Sequence, residues 1–298
     1  MSDFHIPVLL DEVIEGLKVT KGKRYIDATA GGGGHGFEIL KKGGILLAID
    51  QDQDAIEHIK QKWRVESKKW KMNEGNLVLI HGNFREIKRI AQENGFATNV
   101  YGVLFDLGVS SFQLDTNIRG FSFSRDAKLD MRMSQDAKLS AFEVVNKYTK
   151  TQLSDIFEKY GEEVKAGQIA DEILVKRVEK PILTTFALAD IVLGVIPRTG
   201  KLHPATRVFQ AIRIEVNDEL GALREGLEQA LEIVGKGGRV VVISFHSLED
   251  RVVKQLFRKK EKDGLGKAIL KQPIDATDEE LVKNPRSRSA KMRIFEKI

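Results

Sequence analysis

The residues best suited to chemistry sit together in Tyr25-Ile26-Asp27-Ala28-Thr29-Ala30-Gly31-Gly32-Gly33-Gly34-His35-Gly36. The stretch reads as a strand that runs into a glycine-rich turn and opens a helix. Glycine permits positive φ and lets a ligand approach the backbone closely. Two cofactors compete for such a turn. Gly31, Gly33 and Gly36 satisfy G-x-G-x-x-G, and Asp50 follows about where a dinucleotide site keeps its ribose-binding acid. Four adjacent glycines, however, satisfy many patterns. A pyrophosphate is held by bare N–H groups at a helix start and gains nothing from a carboxylate there. A methionine ammonium does gain from one. Asp27-x-x-x-Gly31-x-Gly33 therefore favours S-adenosylmethionine over a nicotinamide dinucleotide. Capping of the turn by Asp27 is compatible with both. The phosphate-binding string G-x-x-x-x-G-K-[ST] is absent.

Three further residues fall at strand ends. Asp50 ends a second strand and can accept from ribose hydroxyls. Phe84, after a third, is placed either to pack against adenine or to enter the core of the next helix. Asp106, in Asp106-Leu107-Gly108-Val109-Ser110-Ser111, ends a fourth. In open parallel sheets ligands lie beyond the carboxyl ends of the strands, so Asp106 is expected to face the same crevice as Gly33 and Asp50.

The elements that must position these residues alternate. Strand-like runs are Arg24–Thr29, Gly44–Asp50, Leu77–His81 and Val100–Asp106, with helical stretches at Gly34–Lys42, Asp52–Lys69 and Phe84–Asn94. An amphipathic segment, Leu9, Leu10, Val13, Ile14 and Leu17, precedes them. The order predicts an α/β fold with a mostly parallel sheet covered on both faces. The alternation then stops. Arg119–Met133 has no clear period, and helices follow, including a capping box at Ser140–Glu143 and stripes ended by Gly161 and Pro197. After His203-Pro204 one long helical pattern runs from Ile212 to Val234, broken by Lys236-Gly237-Gly238 before a strand at Arg239–Phe245. Short strands near Lys267–Gln272 and Lys291–Lys297 complete the reading. We expect a discontinuous sheet domain, 1–113 and 204–298, with an inserted all-helical domain, 114–203.

Composition bounds the possibilities. The 298 residues contain no cysteine, which excludes disulfides, thiolate metal sites and cysteine nucleophiles. No apolar run approaches the length of a membrane span, and the N-terminus lacks the pattern of a signal peptide. The expected location is cytoplasmic, with no membrane partner. Residues 251–298 carry 14 Lys/Arg against 7 Asp/Glu, while the rest of the chain is slightly acidic. A basic segment on an acidic body is the footprint of phosphate binding, or else a solvated surface.

The strings His5–Leu10, Asp27–His35, Asp106–Gln113, Arg119–Phe123, Leu129–Met133, His203–Ala211, Val216–Leu220, Ile243–Arg251 and Asn284–Ala290 together resemble the ribosomal small-subunit methyltransferase H family across nearly the whole chain. The resemblance implies a Rossmann-like S-adenosylmethionine-dependent methyltransferase that modifies N4 of a cytidine in the decoding region of 16S rRNA, with the helical insertion recognising substrate. It implies 16S rRNA or the small ribosomal subunit as partner, with no DNA expected; no metal-ligating residues are singled out, and a homodimer and a metal requirement stay open. By motif position Gly33, Gly34, His35, Asp50, Phe84, Asp106 and Gln113 correspond to cofactor contacts, alongside Asp27 and Gly31 of the loop. Ala28–Gly32 is a local departure that keeps the flanking acid and glycines.

Chemistry supports the amine in part. Attack at cytosine C5 needs a covalent nucleophile, usually a thiolate, which this chain cannot supply. An exocyclic amine needs positioning, and an acceptor such as Asp106 or the Ser110 hydroxyl to direct its lone pair or take its proton. The Asp-Pro-Pro-aromatic motif of N-directed DNA enzymes is missing, since Leu107, Gly108 and Val109 follow Asp106. A base must be unstacked to react. Phe112, Phe121 and Phe123 are candidates to stack on it. Arg119, Arg125, Arg132 and Arg207 are candidates for phosphate contacts, joined by Arg286 and Arg288 in the basic tail. His246, after the strand ending at Phe245, is a candidate to face substrate. His246-Ser247-x-x-Asp250 reads as a helix start rather than a hydrolase triad.

Overall fold

The computed structural model describes residues 7–110, 119–200 and 203–298. The chain divides into two compact units, one formed by Met1–Ser110 with Leu220–Ile298 and the other by Ser111–Glu219.

The first unit is built on strands β1 (Arg24–Asp27), β2 (Ile45–Asp50), β3 (Leu77–His81), β4 (Val100–Asp106), β5 (Val234–Ser244), β6 (Gly266–Ala268), β7 (Ile274–Asp275) and β8 (Lys291–Lys297). They form one sheet in the order β3-β2-β1-β4-β5-β8-β6, with β7 also paired to β8. Strands β1 to β5 run parallel; β8 lies antiparallel to β5. Such strands are covered on both faces, so they read as near-continuous apolar runs, as Ile45–Ile49 and Val240–Ile243 do. The fold is the expected Rossmann-like one. Helix α1 (Leu10–Gly16) lays Val13 and Ile14 against the sheet, with Leu9 and Leu17 beside them, into a core that includes Tyr25, Leu46, Leu104 and Val241. Helices α2 (Gly34–Lys41), α3 (Gln53–Lys69) and α4 (Ile87–Glu93) follow β1, β2 and β3. The strand order turns back between β1 and β4, which makes their carboxyl ends the topological switch point.

Two local readings are corrected here. Lys236-Gly237-Gly238 does not separate a helix from a strand. It is an irregularity inside β5, where pairing shifts from Val100↔Val234 to Gly102↔Arg239 and Gly237 takes φ 75°, the bulge geometry a glycine accommodates.

In the second unit the helices are α5 (Ala141–Lys147), α6 (Lys150–Gly161), α7 (Ala166–Glu179), α8 (Thr185–Val195) and α9 (Ala205–Asn217). The Ser140–Glu143 capping box forms as expected. The stripes bury Leu153, Ile156 and Phe157, and Leu188 and Val192. At Gly161 an added Cβ would lie 2.9 Å from the Arg207 carbonyl oxygen, so α6 and α9 touch backbone to backbone there. The long helical pattern is the second correction. It breaks at Asp218, which takes φ 45°, into α9 and then α10 (Glu219–Ile233). Asn217 is pinned at the break: its amide donates to the Met131 carbonyl and its oxygen accepts from Met133 N–H. Helix α9 thus packs with the helical unit, where the sequence reading gave residues 204–217 to the sheet. Among the described residues no helix is long and apolar enough to cross a membrane. Helix α11 (Ser247–Lys262) and the short α12 (Asp278–Lys283) complete the first unit.

Candidate active site

The loop after β1 is shaped by its neighbours as much as by its glycines. Gly33 caps α2 at φ 75°, and a Cβ there would sit 2.7 Å from the Phe37 ring. A Cβ on Gly34 would sit 2.3 Å from Pro7 Cγ. The loop is tied to the next strand because Gly31 N–H donates to Asp50 Oδ2 at 2.7 Å, while Asp52 N–H donates to Asp50 Oδ1 at 2.8 Å. Burial raises the Asp50 carboxyl to about 6 despite these two donors.

The loop after β4 meets it from the other side. Thr29 Oγ1 accepts from the Asp106 N–H at 2.6 Å, and an added Cβ on Gly31 would lie 3.7 Å from Ser110 Cβ. Asp106 keeps 26 % of its side chain exposed, yet its Oδ1 is buried with no hydrogen-bond partner among the described residues. Burial, reinforced by the nearby Asp27 and Glu249 carboxylates, pushes Asp106 up to about 8. His35, 5 % exposed, places Nδ1 at 3.6 Å from Asp106 Oδ2 and its other nitrogen, Nε2, at 2.9 Å from the Val8 carbonyl oxygen. Burial lowers His35 to about 4.

Asp27 corrects the argument made from charge alone. Only 2 % of it is exposed. One oxygen accepts from Thr29 N–H at 3.2 Å, and the other lies 3.5 Å from where a Cβ on Gly36 would sit. Its carboxyl, raised by burial to about 7, lies under the loop rather than at the crevice mouth. It caps the turn. Asp106, unlike Asp27, keeps part of its side chain exposed.

A family model described as the MraW methylase family matches residues 2–298. The chain belongs to that family. Ribosomal RNA small subunit methyltransferase H of Carboxydothermus hydrogenoformans is 45% identical over 316 residues, covering 100% of this chain and 99% of its own. The protein of the same name from Persephonella marina is 46% identical over 299 residues, covering 99% of each. A solved rRNA methylase from Streptococcus thermophilus is 12% identical with a TM-score of 0.46, covering 99% of each chain, too slight a likeness to bear on the site.

Other candidate residues of this methylase fall in several places. Phe84 stands edge-on to Phe105 at 5.5 Å, and an added Cβ on Gly226 would meet it at 2.8 Å, so it packs between β4 and α10. His246 starts α11: its Nδ1 accepts from Glu249 N–H, and Glu249 in turn accepts from the Phe245 and His246 N–H groups. That is the helix start read from the sequence, with no triad. Phe112 and Gln113 lie outside the described residues. In the helical unit, the buried Arg119 guanidinium donates to the Arg132 and Met133 carbonyls and stands over the buried Phe121 ring. Arg132 pairs with Asp130 and donates to the Gln135 and Ala137 carbonyls. Phe123 lies tilted against His203 at 4.6 Å and edge-on to Phe209 at 4.9 Å. Arg119 and Phe121 are thus buried in the framework of the aperiodic segment and not presented to RNA, while Arg132 and Phe123 stay half-exposed. Arg207 is exposed, donating to the Glu162 carbonyl. Arg125, Arg286 and Arg288 are also exposed.

Thr29, Val8 and Glu249 escaped the sequence reading. Glu249 alone had a signal, as the third residue after a helix-starting His246. The roles of Thr29 and Val8 come from one side-chain oxygen and one carbonyl, which no spacing announces.

Proposed function

We propose that this methylase transfers a methyl group from S-adenosylmethionine to the N4 amine of a cytidine in the decoding region of 16S rRNA, acting on the rRNA or the small ribosomal subunit in the cytoplasm. The observation that carries the reading is the convergence of Gly31–His35, Asp50 and Asp106 at the switch point between β1 and β4. The fit to a cationic nucleoside cofactor rests on the donor set. A loop closed to Cβ atoms at Gly33 and Gly34 gives close backbone approach. Asp50 offers carboxylate oxygens suited to ribose hydroxyls, and Asp106 Oδ1 is a buried acceptor awaiting a partner.

When bound, the cofactor supplies an electrophilic methyl. The chain's part is to hold the amine in line with it at about 3–3.5 Å and to receive the amine proton. Asp106 is the acceptor we assign, with Ser110, adjacent to Gly31, as a hydrogen-bonding partner for the amine. In the ligand-free protein Asp106 holds a proton near neutral pH because burial, reinforced by Asp27 and Glu249, opposes its ionisation. A sulfonium beside it favours the charged form.

RNA has a surface to follow in the first unit. Arg251, Lys254, Arg258 and Lys262 recur every three or four residues along one side of α11, which starts at the carboxyl end of β5. Lys254, Arg258 and Lys262 have no carboxylate partner among the described residues. We assign this stripe to phosphates, and the helical unit, residues 111–219, to recognition of the rRNA. The test is nucleoside mass spectrometry of 16S rRNA from undermethylated small subunits incubated with the protein and methyl-labelled S-adenosylmethionine. Label in N4-methylcytidine is expected; label on another base, or binding of NAD(P) in place of S-adenosylmethionine, overturns the reading.

A further inference from the structure

His35 lies on the buried side of Asp106. Its Nε2 is 2.9 Å from the Val8 carbonyl oxygen, and a carbonyl only accepts, so Nε2 carries the hydrogen. A neutral ring therefore turns the Nδ1 lone pair towards Asp106 Oδ2, 3.6 Å away. Two acceptors facing each other repel unless a proton lies between them. The acids Asp27, at the end of β1, and Glu249, in the first turn of α11, stand near Asp106, and the His246 ring lies 3.2 Å from Glu249. The Nδ1 site is thus a basic atom presented to an acid that has other acids beside it.

We propose that His35 is a positioning residue that shares, through Nδ1, the proton Asp106 takes from the substrate amine. The inference rests on the proposed reaction at an amine. In that step the amine nitrogen's lone pair forms the N–CH3 bond and the S–CH3 pair stays on sulfur. The N–H bond breaks with its proton passing to the Asp106 carboxylate. The resulting carboxylic acid donates to Nδ1, which keeps the proton away from the methylated nitrogen until product leaves and the carboxyl returns it to solvent. A ring held neutral, as the lowered His35 value requires, is the form that can accept.

The Val8 link would alone explain a structural histidine, so the test separates the two nitrogens. A glutamine amide reaches about as far as Nε2 and an asparagine about as far as Nδ1. His35→Gln keeps the bond to Val8 and loses the acceptor facing Asp106; His35→Asn does the reverse. Expected for His35→Gln is unchanged KM for RNA, a kcat lower by about tenfold or more, and a shifted pH profile. His35→Asn is expected to recover part of the kcat. Independently of turnover, 15N spectra of the histidine-labelled full chain without RNA are expected to show Nε2–H on His35. The Nδ1 signal should titrate with Asp106 and stop titrating in Asp106→Asn. A hydrogen on Nδ1, a signal blind to Asp106→Asn, or wild-type kcat and pH profile in His35→Gln overturns the proposal. Absence of N4-methylcytidine with the wild-type protein would instead overturn the reaction itself.

Discussion

The Thr29 hydroxyl accepts a hydrogen bond from the Asp106 backbone N–H at 2.6 Å, fastening the end of β1 to the end of β4 across the switch point. The glycine loop and the reacting acid are thereby set by one bond between adjacent strands. Thr29→Val keeps the shape and leaves a part-buried N–H without a partner, at a cost of ~1–3 kcal/mol. We expect its kcat to fall by about tenfold through misplacement of Asp106, with Thr29→Ser close to wild type. Steady-state kinetics alongside thermal melts check this; equal kcat in Thr29→Val and the parent would show that the bond does not position the acid.

Buried acids make the ligand-free protein sensitive to base. Asp106 is raised from 3.8 to about 8, Asp27 to about 7 and Asp50 to about 6, in each case chiefly by burial. The folded state binds protons that the unfolded chain releases, so this stabilisation is complete below the unfolded value and is lost as pH rises through the folded one. The melting temperature is expected to decline from about pH 4 to about pH 8 and to level off above that. Asp106→Asn should flatten that decline and gain on the order of 2 kcal/mol, or about 4 °C, at the alkaline end. A variant that melts in parallel with the parent at every pH would contradict the assignment.

Much of this was legible beforehand, for identifiable reasons. Gly44–Asp50 and Val100–Asp106 were readable as strands because buried parallel strands are largely apolar, and their last residues then had to lie at the ligand edge. The orientation of Asp27 was not readable. Whether an acid at a strand end looks outwards or under the turn depends on how closely α2 packs, and that is set by the missing Cβ of Gly36. Arg119 was misread for a similar reason. A guanidinium that satisfies two backbone carbonyls in an aperiodic loop has the same sequence signature as one that meets a phosphate. The break at Asp218 is fixed by Asn217 reaching residues 131 and 133, contacts far away in the chain.

Gly34 offers a steric test of the loop. Alanine there would place its Cβ 2.3 Å from the Pro7 ring, whereas alanine at Gly167, in the first turn of α7, meets nothing closer than 3.9 Å. Gly34→Ala is expected to weaken S-adenosylmethionine binding by about tenfold or more, a loss of roughly 1.4 kcal/mol per decade. Gly167→Ala should bind normally and melt no lower, since alanine favours a helix. Calorimetric titration reads the difference, and equal affinities in the two variants would mean that the loop gives way to the methyl group.

The stripe on α11 predicts a change in salt dependence rather than in chemistry. Each neutralised phosphate contributes about 0.7 to the slope of log K against log salt on single strands. Changing Lys254, Arg258 and Lys262 together to Gln should therefore flatten that slope by about 2 and weaken binding most at low salt. These side chains are exposed or half-exposed and have no carboxylate partner among the described residues, so folding and cofactor affinity are expected to stay as they were. Fluorescence anisotropy with a fragment of 16S rRNA at several salt concentrations measures it. An unchanged slope would move the phosphate track off this helix, leaving the exposed arginines at Arg286, Arg288 and Arg207 as the alternatives.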